Sequence, residues 1–218
     1  MREPVPEWEK FAEAPWPLAA VKAGDLESAL AGFATRHLLL CRRRWQFYAD
    51  SDLSGFGVVL WLMGDRLGAA NVWSFATEEA LKGRFKYSNT GTFQPGLLLW
   101  FASVWLKDED WRDEAAALFE KLLHRKVPSM SGKFQCLLAR LLRREISLGD
   151  VRAAYTSMRP QDRDGAEREA LFYAGVRAYE DGDVEELRRL WEQAPVPTDR
   201  DGQLEYYLLV YERKKLAR

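Results

Sequence analysis

One feature limits what this chain can fold into more than any other: a corner of turn-forming and capping residues that returns along most of its length. It reads Gly24-Asp25, Gly64-Asp65, Asp110 before Trp111, Gly149-Asp150 and Gly182-Asp183. Each corner separates two segments of helical periodicity. Gly suits the end of the first segment because it adopts a left-handed backbone without strain. Asp suits the start of the second because its carboxylate accepts from free backbone N–H groups at the positive end of the helix dipole. The pattern predicts an all-α chain of about five helical hairpins, with corners roughly 33 to 45 residues apart, within the range of stacked antiparallel helix pairs.

Side chains echo at fixed offsets after each corner. A small residue comes first and a large one follows a turn later: Ala29 and Phe33, Ala69 and Trp73, Ala115 and Phe119, Ala154 and Met158, with Leu187 and Trp191 as the last pair. The small side chain lets a partner helix approach, and the large one fills the space beyond it.

These residues resemble the tetratricopeptide repeat, whose pattern also has a Gly in the first helix, a second Ala after the aromatic residue and often a closing Pro. The stretch 50–77 matches through Gly57, Gly64, Asp65, Ala69, Trp73 and Ala76, and 168–197 through Gly175, Gly182, Asp183, Trp191, Ala194 and Pro197. The other three pairs are degenerate, with Pro17, Ser103 and Leu142 where the first-helix Gly stands in the family. The resemblance implies an α-solenoid in a single domain over 1–218. Residues 1–49 would be a capping pair in which Pro15 and Pro17 frame Trp16, 50–198 the repeat stack, and 199–218 a capping helix. That last helix carries Leu204, Tyr207, Leu208 and Tyr211 at helical spacing before Arg213, Lys214 and Lys215.

Composition removes several function classes. The 32 basic and 33 acidic residues balance, so no net field gathers nucleic acid or an anionic membrane. Arg42, Arg43 and Arg44 point around a helix and not along one face, and Arg140, Arg143 and Arg144 add no net charge to support a nucleic-acid grip. Cys41 and Cys136 have neither disulfide-framework nor zinc-cage spacing, which suits a reducing cytoplasm. No apolar run reaches the roughly twenty residues of a membrane span, and the amino terminus has no apolar signal core. His37 and Cys41 lie one turn apart as a nucleophile and base would, yet nothing supplies a third orienting group, and Leu38, Leu39 and Leu40 mark a buried stretch. The acidic corner 108–110 lacks spaced partner ligands for a metal. No catalytic residue, metal or cofactor is expected.

What remains is a protein or peptide partner. The resemblance implies a concave groove lined by first-helix residues, here Val58 and Trp61, then Trp100, Val104 and Lys107, then Arg143, then Phe172, Val176 and Tyr179. Ordinary core is the alternative for Trp61, Trp100 and Phe172. The stretch 84–95 has no helical period, and a loop of this length is expected to close over the groove through Tyr87 and Phe93. The expected role is a non-catalytic interaction module, either a small inhibitor or immunity-type protein acting on a toxin or enzyme, or an adaptor or assembly chaperone, with an enzyme whose site the residues do not declare as the remaining alternative.

Overall fold

The computed structural model describes residues 17–42, 49–83, 93–124, 130–156, 158, 160–196 and 204–216. Tyr87, Trp16, and the loop between 84 and 92 lie outside them. The described residues form helices and turns without a strand. The helices are α1 Leu18–Ala23, α2 Leu26–Arg42, α3 Ala49–Met63, α4 Arg66–Leu81, α5 Gln94–Leu106 and α6 Glu109–Leu123. They continue as α7 Met130–Leu142, α8 Leu148–Tyr155, α9 Pro160–Glu180, α10 Val184–Glu192 and α11 Leu204–Leu216.

Helices pack in adjacent pairs: α1 with α2, α3 with α4, α5 with α6, α7 with α8 and α9 with α10. The first members of the later pairs also touch: α3 meets α5, and α5, α7 and α9 meet one another. The last helix, α11, packs on α3 and α9 as well as on its chain neighbour α10.

Three corners form as the residues predict. Gly24, Gly64 and Gly182 take φ of 78°, 95° and 81°, and the following Asp25, Asp65 and Asp183 accept from the N–H three residues on. The other two differ. In the third pair the left-handed residue is Lys107 and the cap is Asp108, which accepts from Trp111 N–H at 3.0 Å, so Asp110 lies inside the first turn of α6. In the fourth, Arg144 is left-handed, Ser147 caps, and Asp150 completes a capping box, so Gly149 and Asp150 are helical. Ala154 is therefore exposed and Met158 only half-buried, while Val151 and Tyr155 are the buried pair.

With that register corrected, one spacing runs through four pairs. Gly57 precedes Trp73, Ser103 precedes Phe119, Ala139 precedes Tyr155, and Gly175 precedes Trp191, each by sixteen residues. Two of these contacts are equivalent in detail. A Cβ on Gly57 would lie 2.3 Å from Trp73 Nε1, and one on Gly175 would lie 2.2 Å from Trp191 Nε1. Each indole N–H donates to the carbonyl three residues before its Gly, Trp73 to Ser54 and Trp191 to Phe172, at 3.1 Å in both. In the third pair Phe119 has no donor, and the Ser103 hydroxyl donates to the equivalent carbonyl, that of Trp100, at 2.8 Å.

Helix α5 begins at Gln94, with Phe93 as its N-cap residue and Pro95 in its first turn. The end of the expected 84–95 loop is thus helical, and the Phe93 ring is buried. Pro fits there because the first turn leaves its N–H without a helical partner in any case.

Candidate functional site

The helix α11 carries two acids on the stripe that faces the protein. Its buried residues are Leu204, Glu205, Leu208, Leu209 and Glu212, a stripe turned one residue from the Leu204–Tyr207–Leu208–Tyr211 spacing expected of it. Tyr207 and Tyr211 are half-buried at its margin.

Glu212 is 2% exposed and receives donors from three helices. Trp61 on α3 donates its indole N–H to Oε1 at 2.7 Å, and Trp105 on α5 donates to Oε2 at 2.9 Å. One guanidinium nitrogen of Arg66, at the start of α4, donates to both oxygens at 2.8 and 2.9 Å. The guanidinium carbon also lies 5.0 Å from the centre of the Trp61 ring. A carboxylate out of water is costly unless charged and hydrogen-bonded partners satisfy it, and both kinds are present here.

Glu205 occupies the other end of the stripe, also 2% exposed. It accepts from the Tyr173 hydroxyl on α9 at 3.0 Å and is bonded by the Gln94 side chain on α5. Burial pushes its carboxyl above the ordinary value, against the pull of those donors and of the nearby Arg168 guanidinium. Glu169 on α9 is pushed well up by burial and by the charge of Glu205, with Arg168 again opposing. Burial and the same two carboxylates raise the Tyr173 hydroxyl well above its usual range. Arg168 is itself fully buried and donates to the Pro195 carbonyl at 2.8 Å.

A band of aromatic rings runs across α3, α5, α9 and α10. Trp61 lies 4.7 Å from Phe101, Phe101 lies 5.3 Å from Phe172, and Phe172 stacks on Trp191 at 5.6 Å. Trp105 stacks on both Trp191 and Tyr179, at 5.6 and 4.5 Å. Each such pair contributes about 0.5 to 1.5 kcal/mol beyond its area.

The residues expected to line an open groove are placed differently. Val58, Trp61, Phe93, Trp100, Val104, Phe172 and Val176 are buried, and Tyr179 is half-buried against Trp105. Arg143 is engaged by Glu145 at 2.9 Å, and Lys107 is exposed at the left-handed end of α5. The structure brings Trp61, Phe172 and Tyr179 into the band beneath α11 and leaves Lys107 and Arg143 at helix ends. Arg144, of the basic cluster, pairs with Asp181 at 2.5 Å. The residues that sequence reasoning passed over are Glu205, Glu212, Arg66, Trp105 and Tyr173. Two acids seven residues apart on the apolar side of the last helix were the available signal.

Other features carry less chemistry. A cleft of about 380 Å³ opens along α10 and α11 beside Arg188, Trp191, Arg213 and Lys214. Arg188 donates there to the Leu216 carbonyl and Arg213 to the Trp191 carbonyl, so two of these cations serve helix ends. Cys136 is half-buried, and burial raises its thiol. Among the described residues no group of three or more His, Cys, Asp or Glu gathers to hold a metal ion, and no helix is long and apolar enough to cross a membrane. No family model, curated protein or solved structure matches the chain.

Proposed function

We propose that this chain is a non-catalytic protein-binding module, a degenerate tetratricopeptide-like stack whose first-helix face holds a helix. The carrying observation is α11 itself. The helix packs on α3, α9 and α10 with Glu205 and Glu212 held by donors from α3, α4, α5 and α9. The Trp, Tyr and Arg side chains that hold α11 are of the types that dominate protein interfaces, here used within one chain. The repeated contacts of Gly57 with Trp73 and Gly175 with Trp191 support the repeat geometry.

Within this class we favour an inhibitor or immunity-type role toward a toxin or enzyme, with an adaptor or assembly chaperone as the alternative. A second surface has its own support: Leu67 and Phe75 stand on α4, 62% and 50% exposed, so a partner that meets the second helices would find apolar side chains there. Crosslinking the protein in its native cells, then rebuilding the captured pair from purified components, tests the reading. A saturable complex with one protein is expected, and its crosslinks to α11 or to α4 tell the two faces apart. Failure of every captured protein to bind after purification, together with turnover of a small molecule by the chain, would overturn the module reading.

A further inference from the structure

The second helices α4 and α6 share an outer face that combines exposed apolar side chains with charge of one sign. The two helices lie side by side and in step. Ser74 donates to Glu114 Oε2 at 2.7 Å and Lys121 donates to the Leu81 carbonyl, both across a separation of 40 residues, so the helices run parallel. On α4 the exposed residues Leu67, Asn71, Phe75 and Glu78 follow at steps of four and three, which puts them on one stripe. Leu67 and Phe75 are 62% and 50% exposed and stand about 12 Å apart along the helix axis. Around them acids dominate. Over 65–83 and 108–123 nine Asp and Glu residues stand against four Lys and Arg, in a chain whose net charge is only -1. All four cations are already engaged: Arg66 by Glu212, Arg112 by Glu180, Lys82 by Glu78 and Glu79, and Lys121 by the Leu81 carbonyl. Asp110, Asp113 and Glu120 on α6 are exposed and have no ion pair among the described residues. Burial and the charge of Glu78 raise the Glu114 carboxyl against the Ser74 hydrogen bond, and Glu114 Oε1 has no donor among the described residues. The seam between the helices is short of cations.

We propose that this face docks a partner's basic amphipathic helix, whose apolar side covers Leu67 and Phe75 and whose Lys and Arg side chains meet Glu78, Asp110, Asp113 and Glu120. The proposal rests on the protein-binding reading and names the surface and the chemistry of its partner. Leu67 and Phe75 supply apolar area that water now wets, and the carboxylates around them select the sign of what covers it. An acidic helix would make the same apolar contact and be repelled at its margins. A second copy of the chain laid on this face symmetrically would set acid against acid, so the complementary occupant is a basic partner. A helix suits two parallel helices, whose ridges leave a groove for an apolar stripe at helical spacing.

The test uses the full chain and two labelled amphipathic helical peptides of the same pattern, one of Leu and Lys and one of Leu and Glu. The Leu–Lys peptide should bind saturably, and the Leu–Glu peptide should bind at least about ten-fold more weakly. Leu67→Ser combined with Phe75→Ser should weaken the Leu–Lys complex by about ten-fold or more while the melting midpoint is kept, since both side chains are exposed. Asp113→Lys combined with Glu120→Lys should lower the affinity for the Leu–Lys peptide and raise it for the Leu–Glu peptide. Absence of Leu–Lys binding would overturn the proposal. So would binding that salt abolishes and that the Leu67 and Phe75 substitutions leave unchanged, because that is charge attraction without docking. A dimer of the unsubstituted chain that Phe75→Ser dissociates would assign the face to a second copy and also overturn it. A captured protein whose crosslinks avoid α4 and α6 would overturn this assignment and leave the protein-binding reading standing, so the two can fail separately.

Discussion

The Trp61 indole N–H and the Glu212 carboxylate, 151 residues apart in the chain, meet in a buried 2.7 Å hydrogen bond that ties the last helix to the second hairpin. Arg66 and Trp105 share the same carboxylate, so its removal strands one cation and two indole donors at once. Glu212→Ala should cost about 2 to 4 kcal/mol, because two indoles lose their acceptor while Arg66, 29% exposed, can turn to water. Trp61→Phe loses the N–H and also trades a fully buried indole for a smaller ring, which together should cost about 1 to 2 kcal/mol. Urea midpoints of the two variants check the ranking, and equal small losses would show that the carboxylate is hydrated in solution.

The glycine contacts make a second, independent prediction. Gly57→Ala and Gly175→Ala drive a methyl into the indoles of Trp73 and Trp191, and each should destabilise by about 1 to 3 kcal/mol. Gly149→Ala is the control. Its Cβ would sit 3.5 Å from Ser147 Oγ, an ordinary contact, and Ala in place of a helical Gly should stabilise by about 0.5 to 1 kcal/mol. Thermal melts of the three proteins read the sign directly, and a loss at Gly149 equal to that at Gly57 would remove close helix approach as the cause.

These glycines also mark how far the fold is legible from residues alone. Gly24, Gly64 and Gly182 announce their corners because a left-handed backbone favours Gly. Lys107 and Arg144 take the same conformation without that advantage, so nothing in their chemistry gives the corner away. The slip at the fourth corner carried the packing pair from Val151 and Tyr155 onto Ala154 and Met158, three residues along and partly off the buried face. The candidate site was less legible still. Trp61 was readable as an aromatic on a first helix, but its partner is an acid at the far end of the chain, and no local period connects positions so distant. Glu205 and Glu212 look solvent-facing by residue type, and only the packing of α11 on α3 and α9 buries them.

The carboxyls around Arg168 give a pH dependence with a defined sign. Glu169 and Glu205 hold their protons more tightly in the folded chain than at the ordinary value of 4.5, chiefly through burial. Their contribution to stability is therefore complete below the unfolded value and is lost as pH rises through the raised folded values. Asp25, Asp150, Asp181 and Glu186 are shifted downward and act in the opposite sense. Glu169→Gln leaves those four in place and removes one of the two mutually repelling acids, so it should gain stability relative to the parent as pH is raised from about 4 to 8. Parallel urea titrations across that range check it, and a constant difference between the two proteins would show that Glu169 titrates normally.

The central claim is that α11 covers the first-helix face through Glu212, and hydrogen exchange at the tryptophan indoles tests it most directly. In the unsubstituted chain the Trp61 and Trp105 N–H groups should exchange slowly, as should those of Trp73 and Trp191, which donate to helix carbonyls. In Glu212→Gln the first two should accelerate at least ten-fold while Trp73 and Trp191 stay protected, because only the first two donate their indole N–H to α11. Fast exchange of Trp61 and Trp105 in the unsubstituted chain, or equal acceleration of all four in the variant, would contradict the account.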